Sequence, residues 1–259
     1  MGKTIAVANQ KGGVGKTTTA VNLSACLGNE GKKILVIDAD PQGNTTSGFG
    51  IDKNSCEKNL YGVFAEGADI SDIIIKTEFK NISVCPSNMD LLGIELTIAS
   101  SDNKEFILKN ALQKVKDSYD FIFIDCPPAL NYLTINCFAA ADSVIIPIQC
   151  EYYALEGVSD LTRNISYIKQ TINPEIYIEG VLMTMFDSRT NLSLQVANDV
   201  KECFPNKVYS VAIPRNTRLG EAPSYGLPVI YYDKYCRGSE SYRLLAKEFL
   251  KIQKKNKNQ

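Results

Sequence analysis

The sequence predicts an α/β fold: a single-domain, doubly wound, mostly parallel sheet with helices on both faces, spanning residues 1–259. Two observations predict it. Short runs rich in β-branched residues alternate with longer segments whose apolar residues recur every three or four positions. The short runs are almost continuously apolar, as expected of parallel strands covered by helices on both sides.

Taken in order, Thr4–Asn9 reads as the first strand, and a glycine-rich stretch follows it. The helical pattern Thr17–Leu27 stops before Gly28, a residue suited to ending a helix. Lys33–Asp38 is the second strand, closed by Pro41 and Gly43. Ile82–Cys85, Phe121–Asp125, Ser143–Ile148 and Ile176–Thr184 complete the strands, with helical patterns at Glu105–Val115 and Leu133–Ala140. Leu244, Leu245, Phe249, Leu250 and Ile252 mark the core face of a last helix. Residues 254–259 read as a frayed polar tail.

Composition narrows the chemistry. The chain is 44% hydrophobic and 22% charged, a globular balance. It has no histidine, which excludes His-ligated zinc and every Ser-His or Cys-His nucleophile. None of its eight cysteines forms a C-x-x-C pair, so they are read as small buried hydrophobes in a reducing compartment. No apolar run reaches bilayer-spanning length and no signal-peptide pattern opens the chain, so a cytoplasmic location is expected. Net charge is −1, yet from Lys201 onward twelve Lys and Arg face five Asp and Glu. That basic end fits either a polyanion-binding face or a solvated tail.

Lys11-Gly12-Gly13-Val14-Gly15-Lys16-Thr17-Thr18 lies between the first strand and the first helix, the setting a phosphate loop requires. Glycines let successive N–H groups turn inward, and the following helix brings its positive end to the anion. Lys16 is placed to reach the β- and γ-phosphates of a nucleotide, and the Thr17 hydroxyl to ligate Mg²⁺. The general pattern has glycine at the loop's first position; here Gln10 stands there and Lys11 opens the loop. After the second strand, Asp38 and Asp40 are one residue apart and so face opposite ways, which implies different jobs. Phe121–Asp125 has the Walker B form, four apolar residues ending in an aspartate able to hold Mg²⁺ directly or through water.

The K-G-G-x-G-K-T form is the deviant Walker A motif, and the chain resembles the ParA/MinD-type ATPases. Residues Ile148–Gly157, Ile213–Asn216 and Glu221–Ser224 resemble the ParA/Soj chromosome- and plasmid-partition branch. The likeness runs from about Thr4 to Leu250. It implies a P-loop NTPase fold, ATP and Mg²⁺ as cofactors, and an ATP-dependent homodimer in which Lys11 reaches the partner's phosphates. It also implies that Asp40 positions or activates the attacking water, that Asp38 supports the metal site, and that Pro214 and Asn216 flank the adenine. Further implications are non-specific binding of double-stranded DNA by the dimer, with Arg189 and Arg218, then Arg215 and Arg237, as contacts, and a ParB-like partner that stimulates slow hydrolysis. The ATP-bound form is then nucleoid-associated. A MinD-type membrane-associated division-site ATPase is the alternative, dependent on a lipid-binding last helix. Asn131, Tyr132, Gly220 and Tyr225 depart from the Soj-like pattern; the last two flank the expected DNA-facing segment.

Overall fold

The computed structural model describes residues 2–99, 102–129, 131–151 and 154–257, with side chains from 159 to 256 in the last segment. Tyr152 and Tyr153, and the side chains of Ala154–Gly157, all part of the resemblance above, lie outside the described residues.

The chain runs β1 (Lys3–Val7), α1 (Lys16–Asn29), β2 (Ile34–Asp38), α2 (Asn44–Gly48), α3 (Leu60–Ala65), β3 (Ile75–Lys76), β4 (Ile82–Cys85), α4 (Ile94–Ile98), α5 (Ile107–Gln113), β5 (Phe121–Asp125) and α6 (Tyr132–Ala140). It continues β6 (Ser143–Gln149), α7 (Ala154–Thr171), β7 (Tyr177–Thr184), α8 (Asn191–Cys203), α9 (Thr217–Glu221), α10 (Val229–Tyr232) and α11 (Arg237–Lys257). Among the described residues these strands form one sheet in the order β3-β4-β2-β5-β1-β6-β7. All neighbours are parallel except the two-residue β3, which pairs antiparallel with β4. The fold is therefore the doubly wound P-loop architecture the sequence predicts. The edge strand β3 was not expected, because two residues carry no period.

Alternation within each strand divides the core into two layers. Ala6, Leu35, Ile37, Ile122 and Ile124 face the layer that includes Leu60, Leu108, Leu133 and Ile165. Ile5, Val7, Val36, Phe121 and Phe123 face the layer built by α1 and α11, with Leu23, Leu27, Tyr242 and Phe249. In α11 the buried face is Tyr242, Leu245, Ala246 and Phe249; Leu244 turns outward and is about half exposed, contrary to the expected stripe. The helix also continues to Lys257 instead of fraying from 254. Lysines in a last turn suit the helix dipole, which supports the extension without core contacts. Five of the eight cysteines are buried as expected; Cys203 is exposed, and Cys56 and Cys236 lie between.

The end of α1 sits tightly against the turn before β4. A Cβ on Gly28 would lie 2.4 Å from the Lys80 carbonyl oxygen and 2.7 Å from Ile82 Cδ1. Gly28→Ala is therefore expected to cost about 1–3 kcal/mol through overpacking, lowering Tm by roughly 5 °C in thermal unfolding. An unchanged Tm would mean that the turn yields freely.

Candidate nucleotide site

Three parallel strands deliver the site. The carboxyl ends of β1, β2 and β5 are neighbours in the sheet, with Val7 and Asp38 both in register with Asp125. Ligands of open α/β sheets bind at this edge. After β1, Gly13 and Gly15 take φ of 74° and 90°, conformations open to glycine at little cost, and α1 begins at Lys16. No side chain caps α1, whereas Asn59 caps α3, Asn131 caps α6 and Thr190 caps α8. Its first N–H groups are thus open toward a phosphate. Thr184 Oγ1 at the end of β7 donates to the Val14 carbonyl at 2.8 Å, and Asn9 Oδ1 accepts from Lys11 N at 3.0 Å, so the loop is held at two points.

The two loop lysines behave differently. Lys16 is 8% exposed and its Nζ donates to the Lys11 carbonyl at 3.1 Å. Burial holds its pKa below the ordinary lysine value, against the pull of Asp125 and Asp40. The Lys11 side chain is more exposed, and its Nζ pairs with Glu151 Oε2 at 3.1 Å.

The three aspartates also differ. Asp38 is fully buried; its Oδ2 accepts from Thr46 N and from Thr46 Oγ1, both at 2.7 Å, and its Oδ1 from Asp40 N at 3.3 Å. Asp125, also fully buried, takes Thr17 Oγ1 at 2.7 Å and Thr45 Oγ1 at 2.8 Å on Oδ2, while its Oδ1 has no partner among the described residues. An orphaned buried carboxylate oxygen beside the Thr17 hydroxyl fits a hydrated Mg²⁺. Asp40 is only partly buried; its Oδ1 accepts from Gln42 N at 2.9 Å, and Oδ2 has no partner among the described residues.

Burial pushes the carboxyls of Asp38 and Asp125 above the usual range; the charge of Asp125 adds to the rise of Asp38 and that of Asp40 to the rise of Asp125, with the threonine hydrogen bonds pulling back. An acid raised in the folded state binds more protons folded than unfolded. It therefore costs stability as pH rises from the unfolded value, about 4, through the folded one. Asp125→Asn removes that cost. In magnesium- and nucleotide-free buffer, it is expected to raise Tm at neutral pH by roughly 3 °C, the equivalent of about 1 kcal/mol in a chain of this size. The gain should vanish near pH 4. An equal gain at both pH values would remove the charge explanation.

Beside the loop, a cavity of about 230 Å³ is lined by Gly15, Thr18, Met185, Pro214, Asn216 and Leu219. Pro214 and Asn216 thus reach the same cavity as the loop, and Asn216 also caps α9 through Arg218 N at 3.0 Å. Phe186 bridges Pro214, which sets the segment bearing Arg189 beside the one bearing Arg215. Leu219 and Gly238 are close enough that a Cβ on Gly238 would lie 2.8 Å from Leu219 Cγ, so Arg218 and Arg237 sit on adjoining segments. Arg189 makes two bonds to Asp187, and Arg218 pairs with Glu221 at 2.7 Å and Asp233 at 3.4 Å. Arg215 and Arg237 are exposed. Exposed pairs of this kind are weak, so the guanidinium groups remain able to exchange partners.

Sequence reasoning did not single out Thr45, Thr46, Ser87, Thr184 or, as the partner of Lys11, Glu151. Only the fold brings them to the motif residues. The departures find local reasons: Asn131 caps α6 by accepting from Thr134 N at 3.1 Å, Tyr132 lies under Lys104, and Tyr225 stacks on Tyr232 at 5.0 Å. A side chain at Gly220 would meet nothing within 4 Å, so no contact requires glycine there.

A glycine loop opening an uncapped helix, a buried lysine and a carboxylate beside a threonine hydroxyl define a P-loop nucleotide-binding protein, and the second loop lysine, Lys11, gives the two-lysine form. A family profile described as an AAA domain matches residues 2–178. The chain is 53% identical over 248 residues to the sporulation initiation inhibitor protein Soj of Bacillus subtilis (strain 168), covering 96% of this chain and 98% of that one. It is 47% identical over 251 residues to the chromosome partitioning protein ParA of Myxococcus xanthus (strain DK1622), covering 97% and 89%. It belongs to the ParA/Soj family of ATPases. Among solved structures, a cobyrinic acid a,c-diamide synthase from Mycobacterium smegmatis with bound ATP analog and magnesium is similar, at TM-score 0.88 and 35% identity, covering 98% of this chain and 96% of that one. The cell division ATPase MinD of Pyrococcus furiosus is similar at TM-score 0.80 and 27% identity, covering 97% and 100%.

Proposed function

We propose that this protein is a DNA-partition ATPase whose ATP-bound homodimer binds double-stranded DNA without sequence preference and releases it after hydrolysis. One observation carries the reading: of two lysines on one loop, Lys16 is buried against the loop's own backbone while Lys11, its side chain 35% exposed, rests on a surface ion pair with Glu151. A cation so placed suits the phosphates of a second protomer's nucleotide, and dimerisation is then coupled to the γ-phosphate. The near full-length likeness to Soj and ParA supports it.

In this reading residues 11–18 bind the phosphates, and Pro214 and Asn216 flank the adenine. Thr17 and Asp125 hold Mg²⁺, with Asp38 fixing Thr46 and the Asp40 turn behind them. Bound Mg²⁺ neutralises developing phosphate charge. Asp40, whose second oxygen has no partner among the described residues, orients the attacking water and accepts its proton. With Lys11 and Lys16 the only cations assigned to the transition state, intrinsic turnover is slow, and a ParB-like partner stimulates it. Arg189, Arg215, Arg218 and Arg237 contact DNA phosphates, so the ATP-bound protein associates with the nucleoid within the cytoplasm. Among the described residues no helix is long and apolar enough to cross a membrane. The large apolar side chains of α11 are mostly committed to the core, which leaves the membrane-associated MinD-type reading second.

Binding to random-sequence duplex DNA, measured without nucleotide, with ADP, with ATP, and with ATP plus Asp40→Ala, tests the proposal. Binding should require ATP, persist in the variant, and weaken steeply as salt rises, since phosphate contacts release counterions. If no nucleotide state binds DNA the proposal fails, and binding to liposomes would then favour the MinD-type alternative.

A further inference from the structure

At the amino-terminal edge of the sheet a cavity of about 370 Å³ opens between β1 and the helices α5 and α6. Its lining includes Thr4 at the start of β1, Leu112 of α5, and Ala139 and Ala140 at the end of α6. The glycine loop follows the other end of β1, so the length of that strand, on the order of 15 Å, separates the cavity from the phosphate site. The volume suits a small ligand.

The inner end of the cavity is polar and unsatisfied. Alternation along β1 puts Thr4 on the same face as Ala6, toward the layer that holds Leu108 and Leu112. Thr4 is fully buried, and its hydroxyl has no hydrogen-bond partner among the described residues. A buried hydroxyl left unpaired is unfavourable, and a ligand group that pairs with it removes that cost.

Other polar groups of the wall are already matched. Lys116 Nζ donates to both Asp142 oxygens, at 3.0 and 2.8 Å, and Asp142 Oδ2 also accepts from Thr4 N at 2.7 Å. Asn173 Nδ2 donates to the Phe138 and Ala141 carbonyls at 2.9 and 2.8 Å, which closes the end of α6. These bonds hold the walls in place before any ligand arrives, which lowers the cost of ordering on binding.

The rim is different. Lys109 is half-buried and Glu175 exposed; both line the cavity, and neither forms an ion pair among the described residues. Lys109 Nζ lies 5.8 Å from the centroid of the Phe106 ring. One unmatched cation and one unmatched carboxylate at the mouth suit a zwitterion. A ligand with a single charge would leave the other rim group unmatched, and a wholly apolar side chain would leave the Thr4 hydroxyl unpaired.

We propose that this cavity binds a free polar α-amino acid. Its carboxylate pairs with Lys109, its ammonium with Glu175, and its side chain reaches inward to hydrogen-bond the Thr4 hydroxyl. The site is separate from the nucleotide site and does not rest on the ATPase reading.

The probe is L-asparagine, titrated calorimetrically into the nucleotide-free full chain. Succinamate lacks its ammonium, 3-aminopropanamide lacks its carboxylate, and L-leucine keeps its shape without the amide. Asparagine should bind saturably, and each of the other three about ten-fold or more weakly. Lys109→Met, Glu175→Gln and Thr4→Val should each weaken asparagine by a similar factor. The ligand-free Tm of Thr4→Val should equal or exceed that of the parent, because valine removes the unpaired hydroxyl, so weaker binding there is not a loss of fold. No saturable binding by the parent, leucine binding as tightly as asparagine, or unchanged affinity in the three variants overturns the proposal. A clear fall in the Tm of Thr4→Val would give the hydroxyl a structural role and remove the inner contact. Displacement of asparagine by Mg-ATP would move its site to the glycine loop and overturn the placement.

Discussion

Replacing Asp40 with alanine is expected to cut ATP turnover by about 10²–10⁴-fold, the usual worth of a positioned general base, while leaving Mg-ATP affinity within a few-fold. The geometry gives the reason for the split. The Asp40 carboxylate receives one hydrogen bond, from its own turn, and touches neither Lys16 nor the Asp125–Thr17 pair directly. Its backbone carbonyl, which alanine retains, is what Ser87 holds. Removing the carboxylate therefore takes away the group to which the proposal assigns the attacking water and spares the hydrogen bonds of the glycine loop. Single-turnover hydrolysis alongside equilibrium binding of a fluorescent ATP analogue separates the two quantities. A parallel loss of affinity and turnover would place Asp40 in binding and remove its assigned role.

Lys16→Ala should act on both. Loss of a preorganised cation at developing phosphate charge costs about 10²–10³-fold in turnover, and here the ground-state phosphates lose it too. Saturating Mg-ATP at about 100 times its Kd should stabilise the parent protein by about 2.7 kcal/mol, or roughly 5–10 °C in Tm for a chain of this size. The variant should lose most of that shift. Its nucleotide-free Tm should stay near the parent value, because the buried amine already pays a desolvation cost that lowers its pKa. A collapsed nucleotide-free Tm would mean that the bond from Lys16 to the Lys11 carbonyl closes the loop structurally. Lys11→Ala differs in kind: an exposed pair with Glu151 contributes little to the fold, so the effect should fall on ATP-dependent dimerisation.

The strands β1, β2, β4, β5, β6 and β7 were legible because each buries both faces and so reads as an apolar run with turn residues behind it. The short strand β3 was not, since two residues paired antiparallel to β4 depend on that neighbour for their shape. The outward turn of Leu244 was missed for a related reason. Apolarity at helical spacing says that a helix has a buried face, but the neighbouring α1 decides where that face ends.

The site shows the same division. Residues 11–18, Asp40 and Asp125 were readable from sequence because a phosphate loop and strand-end carboxylates are local devices, formed by glycines, a helix start and a strand tip within a few residues of each other. Their electrostatic character was not readable. That Asp38 is consumed by Thr46, that Asp125 keeps one oxygen unpartnered among the described residues, and that Lys11 rests on Glu151 depend on pairs eight to 140 residues apart in the chain. The sequence by itself determined the fold class, the family and which residues stand at the loop and the strand tips. The tertiary structure decided which of those atoms are spent on one another and which remain free, because burial and hydrogen-bond partnership are set by long-range packing that no local pattern encodes.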